Sequence, residues 1–209
     1  MIWFLVVALV SYLIGSVPSG YLAGRIAGVD IRSVGSGNIG ATNVTRTLGK
    51  KYGYPVFAAD FGKGLISVFL ASSIAREAGA PGSAAIFEII AAVCCVLGSA
   101  FPVWLGFRGG KGVAVSAGLL FALMPWAGLI AIVVWVALFY LTGYVSLASI
   151  LAALSLPVAV FVLLHFGQMT EWAFLYVSIC LTAFVVLRHR SNISRLVRGT
   201  EQNFRKNGD

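Results

Sequence analysis

The sequence predicts an all-α fold, a polytopic integral membrane protein of about seven transmembrane segments, some of them short. Three observations carry this. Of 209 residues, 59% are hydrophobic and 11% charged, with a mean hydropathy of +0.94, whereas a soluble domain carries about a quarter charged residues. The apolar residues are gathered into runs long enough for a hydrocarbon layer of ~30 Å. The cations fall almost entirely on alternate connections between those runs, the pattern of a multi-span chain under the positive-inside rule. A single integral membrane domain, 1–209, with no soluble module attached, is expected.

The first run, residues 2–26, is interrupted by Gly15, Pro18 and Gly20. No basic residue precedes it, so it reads as a first span with its N-terminus outside rather than as a signal peptide. Residues 25–51 form a polar loop. The second span, 54–75, contains Asp60-Phe61-Gly62-Lys63-Gly64 near its start. Asp60 and Lys63 share a helix face. Each alone would cost about 2–3 kcal/mol within a span, so they are expected to pair near the cytoplasmic boundary. A turn at 76–82 leads to a third span, 83–105, with Glu88 at its outer boundary. Residues 106–112 form a second loop, glycine-rich and basic. The apolar stretch 113–141 is too long for one straight span and too short for two full ones; Met124-Pro125-Trp126 divides it, and two short helices fit. A span at 145–166 with a kink at Pro157, a last span at 171–187 and a basic tail at 188–209 complete the chain. A five-span count survives if the divided region does not cross.

With the N-terminus outside, Arg25, Arg32, Arg46, Lys50, Lys51, Arg108 and Lys111 share one face with the tail cations Arg188, Arg190, Arg195, Arg198, Arg205 and Lys206, opposite Arg76 alone. That asymmetry makes the shared face, and the C-terminus with it, cytoplasmic. Cys94, Cys95 and Cys180 lie in apolar runs without metal or disulfide spacing and read as small core residues.

One polar stretch stands apart from this background: Val34-Gly35-Ser36-Gly37-Asn38-Ile39-Gly40-Ala41-Thr42-Asn43-Val44-Thr45-Arg46. Its glycines allow sharp turns that aim successive N–H groups at one point. Ser36, Asn38, Thr42 and Asn43 add short donors. If the segment after Gly40 is helical, Asn38, Thr42 and Arg46 recur every four residues on one face, an arrangement suited to phosphate at a helix N-terminus. A turn-rich connection between two membrane helices fits the same residues equally well. Gly35-x-Gly37-x-x-Gly40, with Asp60 downstream, matches the dinucleotide fingerprint only out of context, because the flanks are long apolar runs and not short strands. A P-loop fails because Ala41 stands where its lysine must be.

Phe107-Arg108-Gly109-Gly110-Lys111-Gly112 places two cations around a glycine pair. Positive-inside loops explain the cations; the glycines imply a close backbone approach. In Tyr144-Val145-Ser146-Leu147-Ala148-Ser149, Ser146 and Ser149 are expected to bond back to helix carbonyls. His189 and Asn192, three apart in a run rich in arginine, would share a helix face, and a basic tail of this kind also suits anionic lipid headgroups. The His-x-x-x-x-Asp pattern of common glycerolipid acyltransferases is absent, since Thr170 follows His165 and Ser194 follows His189 at that distance. No aspartate-rich magnesium motif and no Ser/His/acid set is evident.

Residues 35–46, the pair Phe101-Pro102-Val103 and 107–114, and Arg188-His189-Arg190-x-Asn192-Ile193-x-Arg195-Leu196 together resemble the three signature blocks of the bacterial acyl-phosphate:glycerol-3-phosphate acyltransferases, the PlsY family. Residues 60–64 and 144–149 are similar to that family too. One departure is Gly98-Ser99, where the family usually has Gly-His. The resemblance implies transfer of a fatty acyl group from acyl phosphate to the 1-hydroxyl of sn-glycerol 3-phosphate, giving lysophosphatidic acid and phosphate. It implies that Ser36, Asn38, Thr42 and Arg46 hold phosphate, with Gly37 and Asn43 in the same substrate-binding set. Lys111, with the amides near Gly109 and Gly110, would neutralise the acyl phosphate and the developing charge, while Ser146, His189 and Asn192 would orient glycerol 3-phosphate. Lys111, Arg46 and His189 are the catalytic candidates. No metal, cofactor, nucleic acid or required protein partner is expected; the partners are the two substrates and membrane lipids, in the cell inner membrane with the site facing the cytoplasm. The rival reading is a small membrane anion or phosphate transporter, but its outer loops should carry cations and these are nearly devoid of them.

Overall fold

The computed structural model describes residues 2–79 and 84–205. Met1, the close of the 76–82 turn, the start of the third span at Ser83, and Lys206 and Asp209 lie outside them. Among the described residues there is no strand, so the chain is all-α. Five helices or broken helices are long and apolar enough to cross a membrane: Ile2–Ile26, Lys50–Glu77, Ala84–Leu105, Pro125–Thr142 and Val145–His165. A sixth is added if the pair Ala173–Arg188 and Arg190–Val197, bent by 59°, counts as one span; Val113–Leu123 is a shorter apolar helix. Each segment expected from the sequence is therefore a helix. The divided region is not two short helices: α6 (Val113–Leu123) is short, but α7 (Pro125–Thr142) has 18 residues. Pro125 sets that boundary because it suits the first turn of a helix, where its missing N–H has no partner to lose.

The chain divides into two compact units, residues 1–123 and 124–209. In the first, α1 (Ile2–Ser16) packs on α5 (Ala84–Ala100) and α4 (Lys50–Glu77), and α4 also packs on α6. Without a hydrophobic force between helices in lipid, small residues must let backbones approach. A Cβ on Gly15 would lie 2.1 Å from the Cys95 carbonyl oxygen, and one on Gly98 would lie 2.2 Å from that of Tyr12. Val7, Ala71, Ala75, Phe87 and Ala91 form the core of this contact. Between α4 and α5, Ser72 donates to the Glu88 carboxylate.

The first span breaks at Val17 and Pro18, between α1 and α2 (Ser19–Ile26). Lys63, 8% exposed, crosses from α4 to donate to the Val17 carbonyl at 2.5 Å and pairs with Asp60 at 2.6 Å. The expected pair thus exists, and its lysine also satisfies a carbonyl at the helix break. Beyond the polar loop, α3 (Ala41–Leu48) packs on α4.

In the second unit, α7 packs on α8 (Val145–His165), and α8 on α9 (Ala173–Arg188); α10 (Arg190–Val197) touches both α8 and α9. Helix α8 runs through Pro157. Proline removes the N–H that would have bonded the Ala153 carbonyl, and Thr182 of α9 donates to that carbonyl at 2.6 Å instead, the neighbouring-helix rescue that a membrane helix requires.

Candidate active site

In the first unit the polar loop is pinned by Ile31 and Ile39, which bury against Val44 and Val56. Arg32 donates from its backbone and side chain to Asp30 and lies 4.8 Å over the Tyr21 ring. The Arg32 hydrogen bonds, with its charge, bring the Asp30 carboxyl down to about 2. These anchors leave Ser36 and Gly37 exposed and Asn38, Thr42 and Arg46 half-buried. Thr42 and Arg46 lie one turn apart on α3. Asn38 precedes that helix, and its Oδ1 accepts the Gly40 N–H at 2.8 Å, which leaves its NH2 as the group suited to an anion.

The Asn43 side chain is 2% exposed; its Oδ1 accepts the Ser36 N–H at 2.8 Å, and its Nδ2 donates to the Ile31 and Val34 carbonyls at 3.2 and 3.1 Å. All three bonds shape the loop. Gly35 is required beside it: φ is +60°, and a Cβ would sit 2.2 Å from the Asn43 Oδ1.

The second loop leaves α5 through Pro102 and a 3-10 turn, Val103–Leu105. Tyr12 of α1 donates to the Phe101 carbonyl at 2.8 Å. Phe107 is the only described non-glycine residue with positive φ, at 63°, a strained conformation for an aromatic residue. The Gly109 and Gly110 N–H groups donate to the Ala100 and Ser99 carbonyls, each at 3.1 Å. These two bonds fold the loop back on the end of α5. The close approach that the glycines imply is made to the chain itself, since a Cβ on Gly109 would lie 2.4 Å from both Pro102 and the Ser99 carbonyl oxygen. Half-buried Lys111 then stands two residues ahead of α6, whose N-terminal amides and dipole favour an anion. The two loops are neighbours: a Cβ on Gly110 would lie 3.8 Å from both the Asn38 Oδ1 and the Ile39 side chain.

The second unit gathers the other candidates. Ser149 bonds back to the Val145 carbonyl at 2.8 Å, as expected, and receives the Trp135 indole N–H at 3.0 Å. Ser146 does not bond back. It donates to the Glu201 Oε1 at 2.6 Å; Asn192 donates to the same oxygen at 2.6 Å, and Arg195 donates to Oε2 at 2.7 Å. Burial would raise the Glu201 carboxyl, but hydrogen bonds from Ser146, Asn192 and Arg195, with the Arg195 charge, outweigh it and hold the group below the usual carboxylate range. His189 lies at the bend between α9 and α10, 3% exposed. Its Nδ1 lies 2.8 Å from the Val185 carbonyl. A carbonyl only accepts, so Nδ1 carries the proton and a neutral ring presents Nε2 as its acceptor. Glu201 escaped the sequence reading. Its only signal was a carboxylate amid the cations of a basic tail.

A multi-pass helical protein, with two glycine-rich basic loops touching beside helix N-termini, defines a class: a membrane protein equipped to hold an anionic ligand. Residues 5–199 match the family described as Glycerol-3-phosphate acyltransferase. The glycerol-3-phosphate acyltransferase of Aquifex aeolicus (strain VF5) is 43% identical over 93% of this chain and 95% of its own; that of Desulforudis audaxviator (strain MP104C) is 45% identical over 93% and 92%. A crystal structure of PlsY (YgiH), an integral membrane glycerol 3-phosphate acyltransferase, in its glycerol 3-phosphate form aligns with a TM-score of 0.86 at 40% identity, covering 96% of this chain and 95% of that one. Its lysophosphatidic acid form gives 0.83 at 39% identity, covering 96% and 94%. The chain belongs to the glycerol-3-phosphate acyltransferase family and is an acyltransferase.

Proposed function

We propose that this enzyme transfers a fatty acyl group from acyl phosphate to the 1-hydroxyl of sn-glycerol 3-phosphate, releasing lysophosphatidic acid and phosphate, the first acylation of phospholipid synthesis. The observation that carries the reading is the likeness, over 96% of the chain, to a PlsY solved in a glycerol 3-phosphate form and a lysophosphatidic acid form. The chain works as one domain, 1–209, in the cell inner membrane, with its N-terminus outside and its active site and C-terminus cytoplasmic. The cation asymmetry supports that orientation.

Within the first unit, Ser36, Gly37, Asn38, Thr42 and Arg46 hold phosphate oxygens. Lys111 and the α6 N-terminus neutralise the acyl phosphate, while Asn43, Gly109 and Gly110 keep the two loops in shape. Within the second unit, Ser146, His189 and Asn192 orient glycerol 3-phosphate. The glycerol hydroxyl oxygen attacks the acyl carbon directly, the carbon–oxygen bond to phosphate breaks, and the hydroxyl proton passes to a substrate phosphate oxygen. The donor is already activated and its leaving group is stable, so positioning and charge neutralisation carry the acceleration. Ser146 donates to the Glu201 carboxylate, but Asn192 and Arg195 bond the same carboxylate and hold it below the usual range, which makes it a poor base for activating a nucleophile. No metal, cofactor or protein partner is needed; membrane lipids are the surroundings.

Purified protein should release phosphate from acyl phosphate in a glycerol 3-phosphate-dependent manner and be poor with acyl-CoA, which offers no phosphate at the scissile bond. Initial rates should fit a ternary-complex mechanism, and acyl phosphate alone should leave the intact protein mass unchanged. Absence of acceptor-dependent release overturns the reaction; a trapped acyl-enzyme with ping-pong kinetics overturns direct transfer.

A further inference from the structure

The segment after α10 fastens across the turn between α7 and α8. The Asn203 Nδ2 donates to the Thr142 carbonyl at 3.0 Å, and the Phe204 N–H donates to the Gly143 carbonyl at 2.8 Å. Thr142 ends α7, and the last carbonyls of a helix have no partner within it; the tail supplies donors there. The Asn203 Oδ1 accepts the Arg205 N–H at 2.9 Å. The Phe204 ring meets Phe139 edge to face at 5.8 Å, and the Arg205 guanidinium lies 5.3 Å over Tyr140. Gly143 has φ of +74°, and a Cβ there would come within 2.4 Å of the Asn203 Oδ1, so the turn and the tail fit each other closely. Three residues past this fastening on one side stands Ser146; two residues before Asn203 on the other stands Glu201, and these two join at 2.6 Å. The tail is therefore tied to the α7–α8 turn and the start of α8 at three places, 142 to 203, 143 to 204 and 146 to 201.

The geometry points to Asn203 and Phe204 as positioning residues: they act through Glu201, setting its carboxylate where it orders the Ser146 hydroxyl and the Asn192 amide. This rests on the proposal that Ser146 and Asn192 orient glycerol 3-phosphate. The strap has no reason to affect the acyl donor, because the residues it sets are those assigned to the acceptor.

The test compares Michaelis constants for the two substrates in the full-length chain. Asn203→Ala removes the donor to Thr142 and should raise KM for glycerol 3-phosphate by roughly 3–10-fold, the range of one net hydrogen bond, with KM for acyl phosphate unchanged. Asn203→Asp keeps the acceptor for Arg205 but loses the donor, so it should be no better than Asn203→Ala. In a Glu201→Gln background, Asn203→Ala should add little, because its effect passes through that carboxylate. An unchanged KM for glycerol 3-phosphate in Asn203→Ala, parallel changes in both Michaelis constants, or full additivity with Glu201→Gln would each overturn the proposal. If Glu201→Gln yields no folded protein, the KM split in Asn203→Ala and Asn203→Asp decides alone. A wild-type chain without acceptor-dependent activity indicts the functional reading and not the strap.

Discussion

Gly109 and Gly110 show how a glycine pair can serve the fold of its own loop. Their N–H groups hold the loop to Ser99 and Ala100, and Lys111 stands beyond them, next to the α6 N-terminus. Lys111→Ala and Arg46→Ala should therefore each lower kcat by about 10²–10³, the cost of removing one preorganised donor from a developing charge, without loss of folded yield. Exposed Lys51→Ala should change the rate less than about threefold, as expected of a solvated surface cation. Equal losses in all three would mean that the loops act through bulk potential only. Glu201 supplies a pH test. Its carboxyl is held below the unfolded glutamate value of about 4.3. A depressed group stabilises fully above its unfolded value and loses that contribution as pH falls through the folded one. Thermal unfolding should thus be insensitive to Glu201 between pH 5 and 7 and should fall below about pH 4; Glu201→Gln should flatten that fall. An unaltered acid limb in the variant would show that the cluster adds nothing.

At the scale of elements, breaks in helices are where side chains from neighbours are needed. Proline at 18 and 157 removes backbone donors inside apolar surroundings. Thr182 attends to the carbonyl that Pro157 leaves inside the unbroken α8, and Lys63 to the break at Pro18. Lys63 does so with a charge because Asp60 on the same face neutralises it. Lys63→Met should destabilise the protein, since it leaves the partly buried Asp60 carboxylate without its partner and the Val17 carbonyl without its donor. The double variant Lys63→Met with Asp60→Asn should lose less than the sum of the two single changes. Both are checked by unfolding in detergent. Full additivity would show that the pair is not coupled.

At the scale of the molecule, the proposed orientation predicts opposite accessibility for the turn after α4 and the tail after α10. In a cysteine-free background, cysteines placed at Gly79 and Gly199 should react with an impermeant reagent from opposite sides of the membrane. Reaction from the same side would remove the cytoplasmic assignment and the case for an odd number of spans.

Hydropathy by itself determined the class and the helices, because backbone groups in lipid must be satisfied within a helix or a closed barrel, and runs of this length and composition leave little choice. Glycine, amide and cation spacing marked both loops, since such residues rarely interrupt apolar runs without a reason. Even the Asp60–Lys63 pair was readable, being three residues apart on one helix. The directions of hydrogen bonds were not. Whether the Gly109 amide turns outward or back on α5 depends on Ala100 lying within reach, and whether Asn43 faces a ligand or its own loop depends on Ile31 being buried beneath it. Glu201 shows the limit most plainly. Its partner Ser146 lies 55 positions away, and no local pattern records such a pairing. Only the packing of α10 on α8 and the fastening of residues 203–204 at the α7–α8 turn bring the two together, and that closure over a long stretch of chain is a property of the tertiary structure alone.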